Sequence, residues 1–575
     1  MLEQISTSQL KKMTISQLTE LCGEIREKII KTVFSNGGHL SSNLGMVELT
    51  VALHYVFDLP YDKIIFDVGH QCYTHKLLTG RYDKFDTLRQ KGGISGFPKR
   101  EESEFDCYNT GHAGTSISAA LGIAKARDVK GENFDVVAVI GDGSFNNGLI
   151  YEAFNSVRTL NSNILVILND NGMSISPTVG TMHEYLESLS KTKVYADKKV
   201  RHATIFERFG FVYDGVYDGN DLKSIIDRLV AVKELLKDNS VILHLYTKKG
   251  KGYEFCEENP EATHGISGAN SSKVIEYSTV LGETLTQLAE NDDRIIAVTA
   301  AMTSALGLDE FFNKYPERSI DVGICEEHAT ILCSGLATQG LKPYYAVYST
   351  FLQRSFDEIM IDICSQDLPV TMCIDRAGVS GADGETHQGV FDLSFLNLIP
   401  NLTIAVPKDV HEFREMLKFS SKFEHPLAIR YPRSGVNKQS NALEIESTTW
   451  EQLESGDGDF VIIASGERAI SMAYYVRHSI ENIRKKVAII NARFIKPLDY
   501  DVLKSIKENN IITIEDNVLI GGLGAQIAQY YACHDKKVKN FAFEDKFLPH
   551  AKPYELMDEY GLNVVDVINY IKNEN

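Results

Sequence analysis

Two short polar motifs stand directly after runs of apolar residues that predict buried strands. Gly141-Asp142-Gly143 follows Phe134–Ile140, and Asn169-Asp170-Asn171 follows Ile164–Leu168, with 25 residues between the two motifs. Both therefore fall at the carboxyl ends of strands, where open α/β sheets bind ligands. A carboxylate and an amide oxygen suit Mg²⁺, which usually shares its coordination shell with phosphate oxygens. The glycines also let a diphosphate approach backbone N–H groups at the start of a helix, predicted from Leu149 onward.

Other nucleotide-binding patterns fit these residues less well. Gly141 and Gly143 are followed by Asn146 where a dinucleotide-binding fingerprint has its third glycine, and the chain contains no P-loop. A tight turn after a buried strand is the plain alternative for the first motif alone. The second motif at this distance favours a metal–diphosphate site, and the spacing resembles the thiamine diphosphate motif of transketolase-like enzymes.

Several histidines occupy glycine-rich loops, where an imidazole lies next to open space. They are His39, His70, His112 and His264. Histidine suits proton transfer because its ordinary pKa of about 6.5 lies near neutral pH. The chain has neither the HExxH spacing of zinc hydrolases nor the GxSxG turn of serine hydrolases. Zinc hydrolysis and a serine nucleophile are therefore disfavoured, and repeated glycine–histidine pairs outside regular structure are harder to explain as packing than a single histidine would be.

A third group of chemical residues lies in the middle of the chain. Asp321–His328 ends a predicted short strand and opens a helix whose first turn carries Glu326 and Glu327. For Glu327, a favourable interaction with the helix dipole is the plain alternative. Polar motifs follow at Tyr348–Arg354 (YSTFLQR), Ile374–Gly378 (IDRAG), Ser380–Gly389 (SGADGETHQG) and Arg430–Arg433 (RYPR).

Apolar runs alternate with helical patterns along the whole chain, which predicts βα units and mostly parallel sheets in an α/β fold. At roughly 100–200 residues per domain, 575 residues indicate about three domains. Polar stretches at Gly265–Lys273 and Ser434–Thr449 predict linkers, so we expect domains at 1–270, 271–437 and 438–575. The polar stretch Ser174–His202 is interpreted as a surface segment within the first domain and not as a domain boundary. Further strands are predicted at Ile295–Thr299, Tyr344–Val347, Val370–Ile374, Thr403–Val406, Phe460–Ala464, Val487–Ile490 and Ile511–Ile514.

The net charge of −19 argues against binding to nucleic acid or to an anionic membrane, since both need a basic surface. Any phosphate site must therefore obtain its positive charge locally, from a metal ion or a few arginines. The nine cysteines are scattered without a CxxC pair, which favours a reducing compartment. No signal peptide or membrane span is recognised, and a cytoplasmic location is expected.

Taken in order, the motifs resemble the 1-deoxy-D-xylulose-5-phosphate synthase family of transketolase-like enzymes. The resemblance starts at about Gly37 with GGHLSSNLGMVELTVALHYVF and runs through FDVGHQ, HKLLTGR and TKKGKGY. It continues through DVGIxExHA, YSTFLQR, IDRAG, GADGxTHQG and RYPR. It implies three transketolase-like α/β domains, with thiamine diphosphate between the first two, and a homodimer.

The resemblance also implies roles for individual residues. Asp142, Asn171 and the carbonyl of Met173 would hold Mg²⁺, while Phe351 would stack on the pyrimidine of thiamine diphosphate and Glu326 would bond its ring nitrogen. The remaining cofactor contacts would be His70, Gly111, His112, Ala113, Gly143, Ser144, Asn171 and Tyr253. Proton transfers and hydroxyl contacts would fall to His39, His264, His387 and Asp383. The acceptor phosphate would meet Tyr348, Arg354, Arg376 and Arg433.

The implied reaction is the decarboxylative condensation of pyruvate with D-glyceraldehyde 3-phosphate. It is the first step of the non-mevalonate route to isoprenoid precursors, and it also feeds thiamine and pyridoxal synthesis. Two alternatives stay open: another transketolase-type enzyme, such as a sugar transketolase or a 2-oxoacid dehydrogenase subunit, and a catalytically idle regulatory paralogue.

Four departures from the family pattern motivate the second alternative. The segment after Ser176 is shorter, and the usual GHSSTS reads GHAGTS at Gly111–Ser116. Small residues after GDG are replaced by Phe145-Asn146-Asn147, and Glu327 stands where the family has glutamine. These changes remove none of the residues to which the resemblance gives a catalytic role.

Overall fold

The computed structural model describes residues 2–174, 177–191, 203–266, 276–433, 444–456, 458–480 and 485–574. They belong to two compact units. The first comprises Met1–Ser271 with Gly323–Cys325, and the second comprises Ser272–Val322 with Glu326–Asn575. The predicted domain boundaries at 270/271 and 437/438 lie outside the described residues, as does Ser176, after which the shortened segment was expected.

The first unit is built on a five-stranded, wholly parallel sheet in the order β1-β2-β3-β5-β4. Its central strands are almost continuously apolar because both faces of the sheet are covered by helices. The strands are β1 Lys63–Phe66, β2 Val136–Gly141, β3 Leu165–Asp170, β4 Val212–Asp218 and β5 Val241–Tyr246. The helices are α1 Thr7–Leu10, α2 Ile15–Asn36, α3 Ser41–Gly45, α4 Val47–Val56, α5 Tyr73–Leu78, α6 Ser116–Lys130, α7 Asp142–Phe145, α8 Gly148–Leu160, α9 Thr181–Lys191, α10 Ile205–Phe209, α11 Leu222–Leu235 and α12 Glu254–Glu258.

Strand β2 shows how this sheet divides the core. Successive side chains of a strand point to opposite faces. Val137 and Val139 accordingly join one buried cluster with residues of α2, α4 and α11. Ala138 and Ile140 join another with residues of α6 and α8. Burial on both faces fixes the register of the strand, and with it the position of the Gly141–Gly143 turn.

The second unit contains a seven-stranded sheet in the order β15-β10-β11-β9-β8-β6-β7, parallel except for the edge strand β15. Its strands are β6 Ile295–Thr299, β7 Ser319–Asp321, β8 Lys342–Tyr348, β9 Thr371–Asp375, β10 Thr403–Ala405, β11 Leu427–Arg430 and β15 Phe494–Lys496. Its helices are α13 Tyr277–Leu288, α14 Asp309–Lys314, α15 Glu326–Thr338, α16 Ser349–Leu352, α17 Phe356–Glu358, α18 Asp392–Asn397 and α19 Val410–Lys422. A π-helix covers Ile359–Cys364.

The same unit contains a five-stranded sheet in the order β12-β14-β13-β16-β17, in which β12 is antiparallel to β14. Its strands are β12 Glu451–Glu454, β13 Phe460–Ser465, β14 Val487–Asn491, β16 Asn510–Val518 and β17 Lys537–Phe543. The helices that follow or flank them are α20 Glu467–Ile480, α21 Tyr500–Ser505, α22 Leu523–Tyr531, α23 Pro553–Glu559 and α24 Val564–Asn573.

The predicted α/β class with mostly parallel sheets is confirmed. Each of the nine strands predicted from apolar runs corresponds to an observed strand, within a few residues at the ends. Eight observed strands were not located by those runs: β1, β4, β5, β7, β11, β12, β15 and β17. All nine cysteines are free thiols. Among the described residues, no helix is both long enough and apolar enough to cross a membrane.

Candidate active site

The two polar motifs of the first unit meet at one edge of its sheet. Gly141 and Asn169 are paired in the parallel ladder of β2 and β3, so the residues that follow them lie side by side. Asp142 Oδ1 accepts a hydrogen bond from the backbone N–H of Asn171 (3.2 Å), and its Oδ2 accepts one from Thr178 Oγ1 (2.7 Å). Asn171 Oδ1 in turn accepts from the N–H of Met173 (3.1 Å). The three predicted metal ligands are thus brought together.

The Asp142 side chain is buried close to a second carboxylate. Burial and, to a smaller extent, the nearby carboxylate of Asp170 raise its pKa to about 7. The Asp170 carboxylate is hydrogen-bonded to His244, whose Nε2 lies 3.0 Å from Oδ2 of Asp170. The Tyr213 hydroxyl lies 2.8 Å from Nδ1 of the same histidine. A divalent cation would relieve this repulsion. In the described part of the chain no three His, Cys, Asp or Glu side chains form a metal-binding group, so such a cation depends on amide, carbonyl and phosphate oxygens as well.

Lys249 is a buried cation at this site that the sequence reasoning missed. Its Nζ donates to the carbonyl of Ser174 (2.5 Å). Burial lowers its pKa to about 8, while Asp142 and Glu261 act to raise it. A desolvated ammonium beside Asp142 provides the local positive charge that a diphosphate requires in an acidic protein. Its signal was present in the TKKGKGY motif, but sequence alone does not separate Lys249 from the exposed Lys248.

Asp67 ties the Gly111–Ala113 loop to the first motif. Its Oδ1 accepts from the N–H of Gly114 (2.9 Å) and its Oδ2 from the N–H of Ser116 (3.1 Å). The side chain of Ser144 also hydrogen-bonds to this buried carboxylate. The backbone directly after Ala113 and the side chain of Ser144 are therefore held by the same carboxylate.

Close backbone approach explains the glycine at 143. A Cβ added there would lie 2.7 Å from Ser174 Cβ, a distance that real side chains do not adopt. Gly143, Ser144 and the loop anchored by Asp67 form a cradle in which backbone groups can reach a diphosphate. The residues present fit a metal–diphosphate group.

Two of the departures from the family pattern are accommodated by local packing. Phe145 is fully buried among aromatic rings, with its centroid 5.5 Å from that of Phe154 and 5.8 Å from that of Phe206. Asn147 caps α8, since its Oδ1 accepts from the N–H of Leu149 (3.1 Å). A Cβ added at Gly114 would collide with the Asn147 carboxamide. The glycine in GHAGTS and the asparagine after GDG are therefore a matched pair.

Three loop histidines form a cluster in the first unit. The ring centroids of His39, His70 and His264 lie 5.2, 5.3 and 5.5 Å apart. His264 Nδ1 lies 3.2 Å from Ser42 Oγ. Burial lowers the pKa of His264 well below its usual value, and Lys249 and the two other histidines lower it further. At neutral pH His264 is therefore a neutral imidazole.

Asn43, which the sequence reasoning passed over, holds two of these loops. Its Nδ2 donates to the carbonyls of His39 (2.7 Å) and His70 (2.8 Å), and its Oδ1 accepts from the N–H of Tyr73 (2.9 Å). The side chain is fully buried. One carboxamide thus fixes the spacing between the two histidines.

His112 and Tyr253 are less closely tied to this cluster. His112 is partly exposed, and its carbonyl accepts from Thr115 Oγ1 (3.4 Å). The ring of Tyr253 packs against Phe34 and Phe255, with both centroid distances 6.2 Å. Their assignment to the cofactor stays a prediction.

In the second unit, Glu326 opens α15 with a buried carboxyl group. The side chain is 3% exposed, and Oε2 makes no hydrogen bond within the described residues. Burial raises its pKa to about 7, Arg354 acts to lower it, and Glu327 acts to raise it. The carboxyl is therefore partly protonated at neutral pH and has a free oxygen for a ligand, which fits the ring nitrogen of an aminopyrimidine.

Tyr348 contacts two of the other predicted residues of this unit. Its ring lies parallel to that of Phe351, with centroids 5.7 Å apart, and the Arg376 guanidinium lies 4.4 Å above it. The rings of Phe351 and His387 meet edge to face at 5.6 Å. Burial raises the pKa of Tyr348, and the charges of Arg376, Arg433 and Asp383 also act on it. Tyr348, Phe351, His387 and Arg376 therefore form one connected group.

The three predicted phosphate arginines have different surroundings. Arg376 is fixed by Asp375, whose two carboxylate oxygens accept from its backbone N–H (2.6 Å) and its NH1 (2.7 Å). Arg433 is half-exposed and its Nε lies 3.6 Å from Glu276 Oε1. Arg354 is instead close to Glu326, with NH1 3.9 Å from Oε2. The structure therefore groups Arg376 and Arg433 around Tyr348 and places Arg354 beside the candidate catalytic carboxyl.

Comparison with known proteins decides the family. The 1-deoxy-D-xylulose-5-phosphate synthase family matches residues 2–205, the transketolase pyrimidine-binding domain matches 273–439, and the transketolase C-terminal domain matches 449–567. The 1-deoxy-D-xylulose-5-phosphate synthase of Clostridium kluyveri is 45% identical over 98% of this chain and 96% of its own. This chain belongs to the 1-deoxy-D-xylulose-5-phosphate synthase family. It is an enzyme of the transferase type with three transketolase-like domains.

A second synthase matches this chain over nearly the same extent. The 1-deoxy-D-xylulose-5-phosphate synthase of Clostridium tetani is 44% identical over 96% of this chain and 96% of its own. Among solved structures, a transketolase from Campylobacter jejuni is 17% identical, covers 98% of this chain and 100% of its own, and has a TM-score of 0.46. The chain and the synthases therefore correspond over nearly their whole lengths.

Proposed function

We propose that this enzyme condenses pyruvate with D-glyceraldehyde 3-phosphate, with loss of CO₂, using thiamine diphosphate and Mg²⁺. The observation that carries the proposal is the state of the Glu326 carboxyl. It is buried, its pKa is about 7, and its Oε2 makes no hydrogen bond within the described residues. A carboxyl in that state can share a proton with a ring nitrogen at neutral pH. Thiamine diphosphate, when bound, supplies the carbanion chemistry that decarboxylates a 2-oxo acid and joins it to an aldehyde.

The first unit would hold the diphosphate and its metal. Asp142, Asn171 and the Met173 carbonyl would coordinate Mg²⁺, and Lys249 would neutralise diphosphate charge. His70, Tyr253 and the backbone around Gly111–Ala113 and Gly143–Ser144 would line the remainder. The neutral imidazole of His264 and the ring of His39 would accept protons from substrate oxygens or donate protons to them.

The second unit would hold the pyrimidine and the acceptor. Phe351 offers a flat face, and an aromatic contact contributes about 0.5–1.5 kcal/mol beyond burial. Arg376 and Arg433 would bind the acceptor phosphate, since a guanidinium meets phosphate oxygens through two parallel hydrogen bonds. Tyr348, Asp383 and His387 would contact the acceptor hydroxyls or move protons there. Arg354 is assigned to the phosphate by resemblance alone.

A direct assay tests this proposal. The purified protein is given pyruvate, glyceraldehyde 3-phosphate, Mg²⁺ and thiamine diphosphate, and both CO₂ and the five-carbon sugar phosphate are measured. We expect equal amounts of the two products. Release of CO₂ without the sugar phosphate would contradict the proposed reaction and favour another transketolase-type activity. Cofactor binding without any turnover would favour an idle regulatory paralogue.

Assembly and location are further proposals taken from the family. We infer a homodimer in the cytoplasm. Light scattering after size-exclusion chromatography tests the first point, with about twice the chain mass of 64.2 kDa as the expected result. Fractionation of the source cells tests the second.

A further inference from the structure

The loop formed by residues 378–389 carries two of the proposed acceptor-binding residues, Asp383 and His387. Gly378 and Gly389 close it at its base by exchanging two backbone hydrogen bonds of 2.7 and 2.8 Å. The rest of the loop is irregular apart from a single 3₁₀ turn at Gly384–Thr386. Such a loop needs outside contacts to keep two side chains in one geometry.

Asp516 and Arg468, from the domain matched at 449–567, hold the base of this loop. Asp516 Oδ1 accepts from the N–H of Val379 (3.1 Å), and Arg468 NH1 donates to the carbonyl of Val379 (2.9 Å). The two side chains are joined by a hydrogen bond of 2.5 Å from Arg468 NH1 to Asp516 Oδ2. A Cβ at Gly378 would collide with the Asp516 carboxylate. Both polar groups of the Val379 backbone are therefore bonded to a charged pair.

Further contacts from the same domain follow along the loop. Gln388 Nε2 donates to the carbonyl of Pro549 (3.1 Å), while its Oε1 accepts from the N–H of Ser380 (2.8 Å). A Cβ added at Gly384 would lie 3.3 Å from His550 Cβ, so the turn next to Asp383 rests on this residue. The loop is thus held at its base, at Gln388 and at its 3₁₀ turn.

We propose that Asp516 and Arg468 are positioning residues, through which the C-terminal domain sets the geometry of Asp383 and His387 for the aldehyde acceptor. The domain itself contains none of the predicted catalytic residues. Charge-assisted hydrogen bonds are roughly twice as strong as neutral ones, and small displacements of substrate-positioning groups cost large factors in rate. The inference rests on the proposed function, because that function assigns the loop to the acceptor.

The test compares Asp516→Asn, Arg468→Met, the double variant and the conservative Arg468→Lys in the full-length holoenzyme. Asparagine keeps the shape of Asp516 but removes the charge that pairs with Arg468. Glu454→Gln is the matched control, since it removes an ion pair with Arg477 (3.2 Å) elsewhere in the same domain. The KM for each substrate and kcat are measured, and hydrogen exchange is followed at residues 378–389.

Asp516→Asn and Arg468→Met should each raise the KM for glyceraldehyde 3-phosphate by about tenfold, with less than a twofold change for pyruvate. The double variant should be little worse than either single variant, because one pair is broken in all three. Exchange in the loop should accelerate, and Arg468→Lys should recover part of the acceptor KM. The control should match the unaltered enzyme.

An unchanged acceptor KM, or an equal rise for both substrates, would overturn the inference. The exchange measurement keeps it separate from the proposed function. If the unaltered protein formed no product but exchange accelerated in the variants, the proposed function would fail and the positioning of the loop would stand. If hydrogen exchange at residues 378–389 were the same in the variants as in the unaltered protein, the positioning role of Asp516 and Arg468 would be wrong, whatever activity was measured. Arg468 is partly exposed, so Arg468→Met provides the answer if Asp516→Asn does not fold.

Discussion

Glu326 Oε2 and Arg354 NH1 lie 3.9 Å apart, and both side chains are almost fully shielded from solvent. This distance is too long for a hydrogen bond between the two atoms. Arg354 therefore offsets the charge of Glu326 only in part, and burial keeps the pKa of the carboxyl near 7. Ionisation of a carboxyl in these surroundings is costly to the fold, and the catalytic role proposed for Glu326 uses the protonated form.

Glu326→Gln should abolish turnover and stabilise the protein at alkaline pH. Below pH 4.5, the usual pKa of the carboxyl, the group is protonated in both states. Between 4.5 and 7 the unfolded chain ionises first, so the folded state loses stability as pH rises. Glutamine removes that loss, a gain of about 3 kcal/mol that is complete above pH 7. Chemical unfolding at pH 5 and pH 8 measures it.

Glu327→Gln is the control for that experiment, because it changes the neighbouring carboxyl on the same helix and introduces the residue expected from the family pattern. It should retain turnover. Equal stabilisation of Glu326→Gln at both pH values, or turnover in Glu326→Gln near that of the unaltered enzyme, would show that the Glu326 carboxyl lacks the predicted role.

Lys249→Met should weaken thiamine diphosphate binding in the presence of Mg²⁺ by about tenfold or more, because a buried charge-assisted contact is lost. The neighbouring Lys248 is exposed and pairs with Glu257, so Lys248→Met should change affinity less than twofold. Since the pKa of Lys249 is about 8, the affinity of the unaltered protein should also fall as pH rises through 8. Calorimetric titration checks both effects. Equal affinities for the two variants would remove Lys249 from the diphosphate site.

Asn43→Ala should reduce kcat by about tenfold or more, since it frees the loops that carry His39 and His70. Removal of this buried carboxamide also takes a hydrogen bond from two carbonyls and from the N–H of Tyr73, at a cost of about 1–3 kcal/mol each in stability. Asn36→Ala is matched to it, because Asn36 likewise donates to two carbonyls, those of Asp86 and Leu88, but near the surface. Steady-state assays and thermal unfolding compare the two. A similar loss in both variants would reduce Asn43 to a purely structural role.

Gly114→Ser should destabilise the first unit, and Asn147→Gly should restore much of the loss in the double variant. Serine at 114 meets the Asn147 carboxamide and adopts a φ of +82°. Gly131→Ser measures the cost of the positive φ alone, because Gly131 has a φ of +69° and open space around it. We expect about 1 kcal/mol at Gly131 and more at Gly114. Melting temperatures measure the series, and the absence of recovery in the double variant would refute the matched pair.

Much of the fold could be predicted from local pattern. Runs such as Val136–Ile140 are apolar throughout because both faces of a parallel strand are buried. The sequence alone therefore locates these strands. The strand β4 has polar residues among its apolar ones and β15 is three residues long, and neither pattern stands out from a loop. Those elements are stabilised by neighbouring strands that are distant in sequence.

The candidate site divides in the same way. Asp142 and Asn171 follow adjacent strands, so their meeting followed from the spacing of the motifs. Lys249 could not be told from Lys248, nor Arg354 from Arg376, because side chains of one type differ only in what surrounds them after folding. Burial, not sequence, separates the lysines and holds the pKa of Glu326 near 7.

The sequence by itself determined the family, the α/β class and the residues able to carry the chemistry, since these depend on residue types at set spacings. Only the tertiary structure decided how those residues are held: His39 and His70 by Asn43, Arg376 by Asp375, and the 378–389 loop by Asp516 and Arg468. The reason is physical. Hydrogen bonds and charge interactions act over a few ångströms in space, and no short-range pattern records which distant residues folding brings within that distance.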